Sequence, residues 1–543
     1  MDNNEEKLPG YSNIRKPSTT NPYAPFIYAL ILAFGVMLGF VINSITIGKQ
    51  AMGNRNYDKI EDVLNYISFK YVDTINRAQL VDKSIDKILS NLDPHSVYIP
   101  AKDLGEMNES LEGNFEGIGI EFFIVQDTIT VVTAIAGGPA ELTGLKAGDR
   151  IVKIEDSVVA GVKIKDTAVK SHLRGPAGTK VRVSVMRSGS PKLLAFQIAR
   201  DKIPLYSIDA AYMATSDIGY IRITSFSANT HQEFVEKLHQ LQDKGMKKLV
   251  IDLRGNPGGY LQAATSIADE LISGEKLLVY TKGKAYDRQD YLAGKPGLFE
   301  KGDLCILIDQ GSASASEILS GAIQDWDRGT IIGRTSFGKG LVQEQYDLKD
   351  GSALRLTIAR YYTPSGRCIQ RPYDKGADQY YNEIYDRYSR GEFVHEDSIT
   401  SLDTTVYKTS KGKRVYGGGG IRPDIFVPMD TSGESEYFYA VRSFIPEFVY
   451  KYSSQHGDIL GKFKTEEEFK NDYVVSDQML SDFYKYAFAA GLKTNEAKQG
   501  KITDKVKLNL KAFLAKQTWR MDGFYYILNP TDNVVKAAIE KLK

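Results

Sequence analysis

The stretch "KKLVIDLRGNPGGYLQAATSIADELIS", residues 247–273, decides the fold. It opens with a short apolar run rich in β-branched residues, which predicts a strand that is buried on both faces. A glycine-rich turn follows, and the residues after it repeat apolar side chains at spacings of three and four, as an amphipathic helix does. A buried strand, a tight turn and a helix in this order predict one unit of an α/β sheet.

The same alternation of strands and helices continues on both sides of that stretch. Upstream, "IGYIRITSF" predicts a strand and "THQEFVEKLHQLQDKG" predicts an amphipathic helix. Downstream, the apolar run "DLCILIDQG" precedes the helical pattern "SASASEILSGAIQDW", and "SALRLTIARYYTP" predicts a further strand. We therefore predict an α/β domain over residues 203–430, with an insertion rich in Tyr and acidic residues at 373–410.

A different pattern lies upstream, over residues 113–200. Its segment "GIGIEFFIVQDTITVVTAI" alternates and is rich in β-branched and aromatic residues, which predicts paired strands. Two short helical patterns and a closing hairpin complete this module. The flanking residues 57–112 and 431–543 have mostly helical spacing. The fold-class prediction is an α/β multidomain protein with helical N- and C-terminal regions.

Composition narrows the function classes. A chain of 543 residues is too long for one core, so several domains are expected. The net charge of +1 gives no general attraction to nucleic acid. Two cysteines, Cys305 and Cys368, are too few for a disulfide scaffold. No cysteine or histidine cluster has metal-ligand spacing, so we expect neither a metal site nor a cofactor.

The segment "PFIYALILAFGVMLGFVI", residues 25–42, is apolar and uncharged. At ~1.5 Å per residue it is just long enough for a bilayer core of ~30 Å, so it predicts a transmembrane anchor after a cytoplasmic tail, residues 1–24. The expected location is the inner (cytoplasmic) membrane, with a single pass and the catalytic part facing the periplasm or cell exterior. A cleaved signal peptide is the rival interpretation, although no A-x-A-like site follows. A buried core helix is a third interpretation.

Two glycine-rich turns follow predicted strands and could carry chemistry. The first, "DLRGNPGGY", exposes the N–H groups of Gly258 and Gly259, which suits a phosphate or an oxyanion. The same glycines could instead serve only a tight turn that needs positive φ.

The second turn, "QGSASASE", brings serine hydroxyls to the start of a helix. There the helix dipole and free N–H groups stabilise negative charge, as a serine nucleophile requires. The alternative is a helix cap, because Ser314 and Glu317 also fit a capping box.

A serine nucleophile needs a base. None of the six histidines lies in a catalytic motif, and there is no G-x-S-x-G elbow. Lys339 could serve if burial lowers its pKa, although an exposed turn lysine is the alternative. The surrounding "GRTSFGKG", residues 333–340, nearly spells a phosphate-binding loop, but Gly340 stands where magnesium needs Ser or Thr.

Taken in order along the chain, several segments resemble the C-terminal processing peptidases, which are serine–lysine proteases of the tail-specific type. The resemblance covers residues 57–430. The segments that carry it are "LDPHS", "FEGIGIEF", "DLRGNPGG", "GSASASE", "GRTSFGKGLVQ", "YYTPSGR" and "GGGGIRPD".

The resemblance implies roles for particular residues. It implies that Ser314 is the nucleophile, that Lys339, 25 residues later, is the general base, and that Gln343, one helical or loop turn beyond, orients the lysine. It also implies that the backbone N–H groups of Gly258 and Ala315 form an oxyanion hole. The protease domain is then expected to have a crotonase-like α/β fold.

The module at 113–200 resembles the PDZ domain that these proteases carry. The resemblance makes Gly117, Ile118, Gly119 and Ile120 the loop that binds a peptide C-terminus while the peptide adds as a strand. It also makes Arg174 a residue that couples substrate sensing to the active site. The alternative for Arg174 is a solvated arginine at a helix end.

The function predicted from these observations is a membrane-anchored, exported serine endopeptidase that recognises protein C-termini and processes or degrades from that end. Its expected partners are polypeptides with free C-termini and the membrane, with a homo-oligomer or a regulatory adaptor as further possibilities and no nucleic acid. Two rivals are a catalytically inactive PDZ scaffold and a nucleotide-binding protein that uses residues 333–340.

Overall fold

The computed structural model describes residues 23–51, 55–135, 137–400, 403, 405–431, 436–456, 459–494 and 496–543. The chain divides into two compact units, residues 1–84 and 85–543. The first helices along the chain are α1 (Ala24–Ala51), α2 (Arg55–Lys70) and α3 (Arg77–Leu89). The predicted N-terminal tail lies, up to residue 22, outside the described residues.

The predicted membrane anchor at 25–42 is wrong. Within the described residues, no helix combines the length and the apolar character needed to cross a bilayer. The predicted single-pass location in the inner membrane, with a periplasmic catalytic part, falls with it.

The next part of the chain contains a helix and a compact β-rich module. Its elements are β1 (Val97–Ile99), α4 (Ala101–Glu112), β2 (Asn114–Gly117), β3 (Ile120–Val125), β4 (Thr128–Ala134), α5 (Pro139–Leu142), β5 (Arg150–Ile154), β6 (Ser157–Val158), α6 (Asp166–Leu173), β7 (Lys180–Met186), β8 (Leu194–Ala199) and β9 (Asp201–Pro204). The antiparallel sheet has the order β3-β4-β5-β7-β8, so β3 is an edge strand. On β7, the valines 181, 183 and 185 are buried, as the alternating pattern predicts.

The α/β domain is built on a second sheet. Its elements are β10 (Ile208–Met213), β11 (Ile218–Ile223), α7 (Thr230–Asp243), β12 (Lys248–Asp252), α8 (Leu261–Leu271), β13 (Leu277–Gly283), β14 (Gln289–Leu292), β15 (Leu304–Ile308), α9 (Ala315–Asp325), β16 (Thr330–Gly333), β17 (Leu341–Asp347) and β18 (Ala353–Tyr362). Strands β11, β12, β15 and β16 run parallel, and β10 is antiparallel to β11.

Strand β12 shows why this sheet can be predicted from the sequence. Leu249 and Ile251 belong to the core under α7, α8 and α9, whereas Val250 belongs to the core on the opposite face. Because both faces are covered, the three residues between Lys248 and Asp252 are all apolar. The predicted α/β architecture is confirmed.

The remaining elements complete the chain. They are α10 (Ala377–Ser389), β19 (Val406–Lys408), β20 (Arg414–Tyr416), β21 (Ile425–Phe426), α11 (Glu436–Arg442), α12 (Ile445–Gln455), α13 (Glu466–Asp472), α14 (Asp477–Ala489), α15 (Glu496–Leu528) and α16 (Asn533–Leu542), with short 3₁₀ turns at Glu396–Ser398 and Asn529–Thr531. Strand β21 extends the parallel sheet next to β16. A third sheet, β1-β18-β13-β14 with β17 on β18, brings residues 97–99 beside the α/β domain.

Candidate active site

Ser314 lies where the parallel sheet ends and a helix begins. It follows β15 and is the N-cap of α9, with φ 53° and ψ −113°. Positive φ is strained for a residue with a Cβ and persists only where the surroundings hold it, as at many active sites. The strand–turn–helix therefore presents this serine at the carboxyl edge of the sheet, where ligands of α/β folds bind.

The three serines of "SASAS" have different surroundings. Ser312 is buried and donates to the carbonyl of Leu253 at 2.8 Å, and Ser316 is buried and donates to the carbonyl of Asn256 at 3.0 Å. Ser312 thus ties the turn before α9, and Ser316 ties α9 itself, to the segment that follows β12. Ser314 alone of the three has a partly exposed side chain. Its hydroxyl is the one that a substrate could reach.

Glu317 holds the serine loop and the lysine loop together. Its side chain is fully buried. Oε2 accepts from the N–H groups of Ser314 at 2.9 Å and Lys339 at 2.8 Å. Oε1 accepts from Gly338 N at 2.7 Å and from Ser336 Oγ at 2.5 Å. Burial raises the pKa of Glu317 to about 7, while these four donors favour the carboxylate.

Tyr361 forms a second link between the two loops. Its hydroxyl lies 2.6 Å from the carbonyl oxygen of Lys339 and 3.1 Å from that of Ser314, and its ring is buried. Ser314 and Lys339 are therefore connected through both their N–H groups and their carbonyl groups. The two loops are fixed relative to each other by buried polar contacts.

The side chain of Lys339 is largely buried beside this junction. Burial lowers the pKa of Lys339, and the positive charge of Arg355 lowers it further, whereas Glu317 and Asp93 oppose the shift. In the described part of the chain, Nζ has no hydrogen-bond partner within the protein. A lysine with a lowered pKa and an uncommitted Nζ is suited to accept a proton.

The loop at 333–340 is unsuited to a phosphate. The N–H groups of Gly338 and Lys339, which a phosphate-binding loop would turn toward its ligand, already donate to the carboxylate of Glu317. A phosphate there would face a buried acid. Within the described residues, no group of three or more His, Cys, Asp and Glu side chains is arranged to hold a metal ion.

Gly258 and Ala315 lie beside Ser314. A Cβ added to Gly258, whose φ is 99°, would sit 2.7 Å from Ser314 Cβ and 2.9 Å from Ala315 N. Only glycine fits this position, for reasons of both space and backbone conformation. In this structure the Gly258 N–H donates to Asn256 Oδ1 at 2.8 Å.

Gln343 lies on β17 and not one turn beyond Lys339. It pairs with Thr357 of β18 across a bulge. Its Nε2 is buried and has no hydrogen-bond partner among the described residues. It is energetically costly to leave a buried amide without a partner.

The segment "LDPHS" lies beside the lysine. Asp93 Oδ1 accepts from His95 N and from the hydroxyl of Thr357, the residue opposite Gln343. His95 Nε2 lies 3.0 Å from the hydroxyl of Tyr380. Burial lowers the pKa of His95 to about 4, and the charge of Lys339 contributes. His95 is therefore a neutral neighbour of Lys339 near pH 7.

The predicted insertion supports the lysine loop through α10. Arg387 is buried and donates to the carbonyls of Thr335 and Ser336. Arg371 stacks between the rings of Phe337 and Tyr380, at 3.9 and 4.0 Å. These contacts fix the backbone that leads into Lys339.

The loop of Gly117, Ile118, Gly119 and Ile120 enters the free edge of β3. Gly119 has φ 75°, and a Cβ there would lie 2.9 Å from Ile203. Gly117 approaches the end of α6, where a Cβ would lie 3.6 Å from the Leu173 carbonyl. The loop, the edge strand and the helix end thus come together as a strand-addition site requires.

Arg174 follows α6 directly. Nη1 donates to both carboxylate oxygens of Glu109 at 3.0 and 2.8 Å, and the guanidinium lies 4.9 Å from the ring centre of Phe115. Arg174 therefore contacts α4 and is not a freely solvated arginine. The neighbouring Asn108 accepts from Arg355, the arginine that lowers the pKa of Lys339.

Sequence reasoning missed several of these residues. Glu317 was interpreted only as half of a capping box, and Tyr361, Arg355 and Tyr380 were given no role. The capping position was a real signal, since Glu317 does accept from Ser314 N. Its contacts with residues 336–339 depend on tertiary structure, which spacing alone does not reveal.

Family models match three parts of the chain. Peptidase family S41 matches residues 217–378, the PDZ domain matches 117–198, and a family of unknown function (DUF8443) matches 437–520. Together with the sheets described above, the first two matches confirm the predicted fold class.

Two curated relatives are each 36% identical to this chain. "Carboxy-terminal processing protease CtpB" of Bacillus subtilis matches over 320 residues, 58% of this chain and 65% of the relative, slightly less than two thirds of its length. "Carboxy-terminal-processing protease" of Bartonella bacilliformis matches over 351 residues, 64% of this chain and 79% of the relative. Among solved structures, a photosystem II D1 C-terminal processing protease is 31% identical and covers 56% of this chain and 82% of its own, with a TM-score of 0.33.

Proposed function

The chain belongs to the carboxy-terminal processing proteases of peptidase family S41, and we propose that it cleaves polypeptides with Ser314 as nucleophile and Lys339 as general base. The observation that carries this proposal is the junction at Glu317. One buried carboxylate oxygen accepts from the N–H groups of both residues, which holds the backbones of the serine and the lysine close together.

In the proposed mechanism, neutral Lys339 takes the proton of the Ser314 hydroxyl as Oγ attacks the scissile carbonyl. The tetrahedral intermediate collapses, the leaving amine receives the proton from Lys339, and an acyl-enzyme remains on Ser314. Lys339 then takes a proton from water, which attacks the ester; as the second product leaves, protonated Lys339 returns its proton to Ser314 Oγ. Burial lowers the pKa of Lys339, which favours the neutral form that the first step needs.

The oxyanion hole is proposed to consist of the N–H groups of Gly258 and Ala315. Their position against Ser314 Cβ supports this assignment. Because Gly258 N–H donates to Asn256 Oδ1 here, it must either share its proton or release that contact when an oxyanion forms. A substrate carbonyl is the competing acceptor.

Gln343 is proposed to orient Lys339 in the substrate complex. Its buried Nε2 without a partner supports a rearrangement, since a rotated amide could accept from Lys339 through Oε1. Thr357 on the adjacent strand, with Asp93 hydrogen-bonded to it, limits where the side chain can go.

We propose that residues 113–200 recognise the free C-terminus of the substrate and that residues 203–430 carry the chemistry. The N–H groups at Gly117, Ile118, Gly119 and Ile120 would hold the carboxylate, and the free edge of β3 would pair with the peptide backbone. Because the contacts are mainly with backbone, side-chain selectivity should be broad.

Arg174 is proposed to couple recognition to catalysis through α4. This helix carries Glu109, which binds Arg174, and Asn108, which binds Arg355. A shift of Arg174 on peptide binding would therefore act on Arg355, whose charge lowers the pKa of Lys339. The role of Arg174 depends on this short connection.

The experiment that tests the proposed function compares two peptides that differ only in a free or an amidated C-terminus. Cleavage by the full chain should require Ser314 and Lys339 and should favour the free acid by roughly tenfold or more, about 1.4 kcal/mol or more. Equal cleavage of the two peptides would contradict C-terminal recognition, and cleavage by Ser314→Ala would contradict the proposed nucleophile.

A further inference from the structure

The last helix of the chain is fastened to the α/β sheet at both of its ends. At its start, the N-cap Asp532 binds Arg254, with Nη1 at 3.0 Å from Oδ1 and 2.8 Å from Oδ2. At its end, the Leu542 carbonyl accepts from Lys248 Nζ at 2.6 Å. Lys248 opens β12 and Arg254 follows its end, so α16 runs opposite to the strand. Between these contacts, Val534, Val535, Ala538 and Leu542 cover the outer face of the sheet.

The start of α16 belongs to a buried charge network. Asp252 is fully buried and binds Arg222 at 3.0 Å and Arg254 at 2.7 Å. Although burial favours the neutral acid, Arg254 and Arg222 hold the pKa of Asp252 well below its usual value. Two acids, Asp252 and Asp532, thus balance two arginines. Arg254 has two ionic partners, Asp252 and Asp532, and its side chain is only 15% exposed. Loss of Asp532 would therefore leave a largely buried guanidinium with one carboxylate partner.

Arg254 is part of the loop that forms the proposed oxyanion hole. The chain passes from Arg254 to Asn256, whose side chain binds Gly258 N and the Ile223 carbonyl. The Asn256 carbonyl accepts from Ser316 Oγ in α9. Only three residues separate Arg254 from Gly258, so a change in the position of the arginine can be passed along the backbone to the Gly258 N–H.

We propose that Asp532 is a positioning residue for catalysis: through Arg254, the C-terminal helix α16 holds the Gly258 loop at the geometry that an oxyanion needs. This inference rests on the proposed function of Gly258. It assigns a role to the very end of the chain, beyond residues 437–520 that match the family of unknown function. The C-terminal helix α16 then contributes to catalysis by positioning the Gly258 loop, and is not an independent module.

Asp532 can be tested without destroying the helix it begins. Its Oδ1 also caps α16 by accepting from Val534 N and Val535 N at 2.9 and 3.0 Å. Asparagine caps helices about as well as aspartate, so Asp532→Asn keeps the cap and removes the charge that faces Arg254. Asp532→Ser does the same without placing an amide beside the guanidinium, and it serves if the first variant does not fold.

The matched control is Lys248→Met. This variant removes the other attachment of α16, which is the hydrogen bond from Lys248 to the Leu542 carbonyl. It also removes the ion pair of Lys248 with Asp217 at 3.4 Å. Lys248 lies at the opposite end of β12 from the site. Both variants loosen the same helix. Only the variants of Asp532 act on the loop of Gly258.

The measurements are kcat, KM and the inhibition constant of a peptide boronic acid, on the full chain. Asp532→Asn should lower kcat by roughly 10- to 100-fold at nearly constant KM, because a displaced donor weakens the transition state and not substrate binding. Affinity for the boronic acid, whose adduct presents a tetrahedral oxygen, should fall by a similar factor. Lys248→Met should keep both within about twofold.

Two results would overturn the inference. One is an unchanged kcat in the folded Asp532 variants. The other is an equal loss of kcat in Lys248→Met, which would mean that α16 contributes only general stability. Failure of the proposed function is distinguishable, because the wild-type chain would then show no cleavage that depends on Ser314.

Discussion

Ser314 and Lys339 are 25 residues apart in the chain, and their backbone N–H groups donate to the same atom, Oε2 of Glu317, at 2.9 and 2.8 Å. The backbones of the proposed nucleophile and the proposed base are thus both held by one buried oxygen. Tyr361 repeats the connection on the carbonyl side. Buried hydrogen bonds therefore hold together the two backbone segments that carry these side chains, as a two-residue catalytic unit needs.

Replacement of Glu317 by Gln should damage both stability and catalysis. An amide places two donors where four donors now converge, so at least one buried N–H or O–H loses its acceptor. We expect a loss of about 3 kcal/mol in the free energy of unfolding, together with a strong fall in kcat. Denaturant unfolding and peptide cleavage measure the two effects.

Glu233→Gln is the matched control for that variant. Glu233 accepts from the N–H groups of Ser207 and Ile208 and supports the start of β10. This variant should lose stability while its kcat stays close to that of the wild type. A Glu317→Gln protein that is destabilised but fully active would contradict the positioning role of Glu317.

The three serines of "SASAS" should separate into one catalytic and two structural residues. Ser314→Ala should abolish cleavage and leave the melting temperature nearly unchanged. Ser312→Ala and Ser316→Ala should each lose about 1 kcal/mol of stability, because each removes a buried hydroxyl that binds a carbonyl, while cleavage persists. Cleavage that survives in Ser314→Ala and disappears in one of the other two would reassign the nucleophile.

The pH dependence should follow the protonation of Lys339. Neutral lysine is the active base, so kcat/KM should rise as the pH passes through a lysine pKa that lies below the usual 10.5. Arg355 lowers that pKa, and Arg355→Met should therefore raise it and move the rising limb to higher pH. Arg360→Met removes an exposed arginine from the same strand and should leave the limb in place. A shift to lower pH in Arg355→Met would contradict the assignment of the base.

If α4 couples peptide recognition to catalysis, variants of this connection should lower cleavage without changing peptide affinity. Arg174→Ala and Glu109→Gln break the same contact from its two sides and should both lower kcat. Peptide affinity of the full-length Ser314→Ala chain should be unaffected by either change. Because the two residues act as a pair, the double variant should be no worse than the singles. Weaker peptide binding in Arg174→Ala would instead make it a binding residue.

Local pattern reveals the strand, turn and helix at 247–273, because both faces of β12 are covered and its middle residues, 249–251, must be apolar. The serine and lysine loops were also found, since their glycines and small residues are local features. The partners of those loops were not. Arg254 and Asp532 are separated by 278 positions, and nothing in the spacing of either residue points to the other.

The predicted anchor at 25–42 is a case in which a local pattern predicted a feature that the structure does not have. Its apolar composition is a local signal, and the length of the sequence window agreed with a bilayer. Among the described residues, no helix is both long and apolar enough to cross a bilayer. An apolar window in sequence is therefore not sufficient by itself to predict a membrane-spanning helix.

The most direct test of the central claim is to trap the acyl-enzyme. The full chain is mixed with a peptide that has a free C-terminus, quenched in acid within the first turnovers, digested and examined by mass spectrometry. The account predicts that the fragment containing Ser314 gains the mass of the acyl part of the N-terminal product, and that Ser314→Ala shows no such gain. An adduct on any other residue, or rapid cleavage by Ser314→Ala, would contradict a mechanism that depends on Ser314 and Lys339.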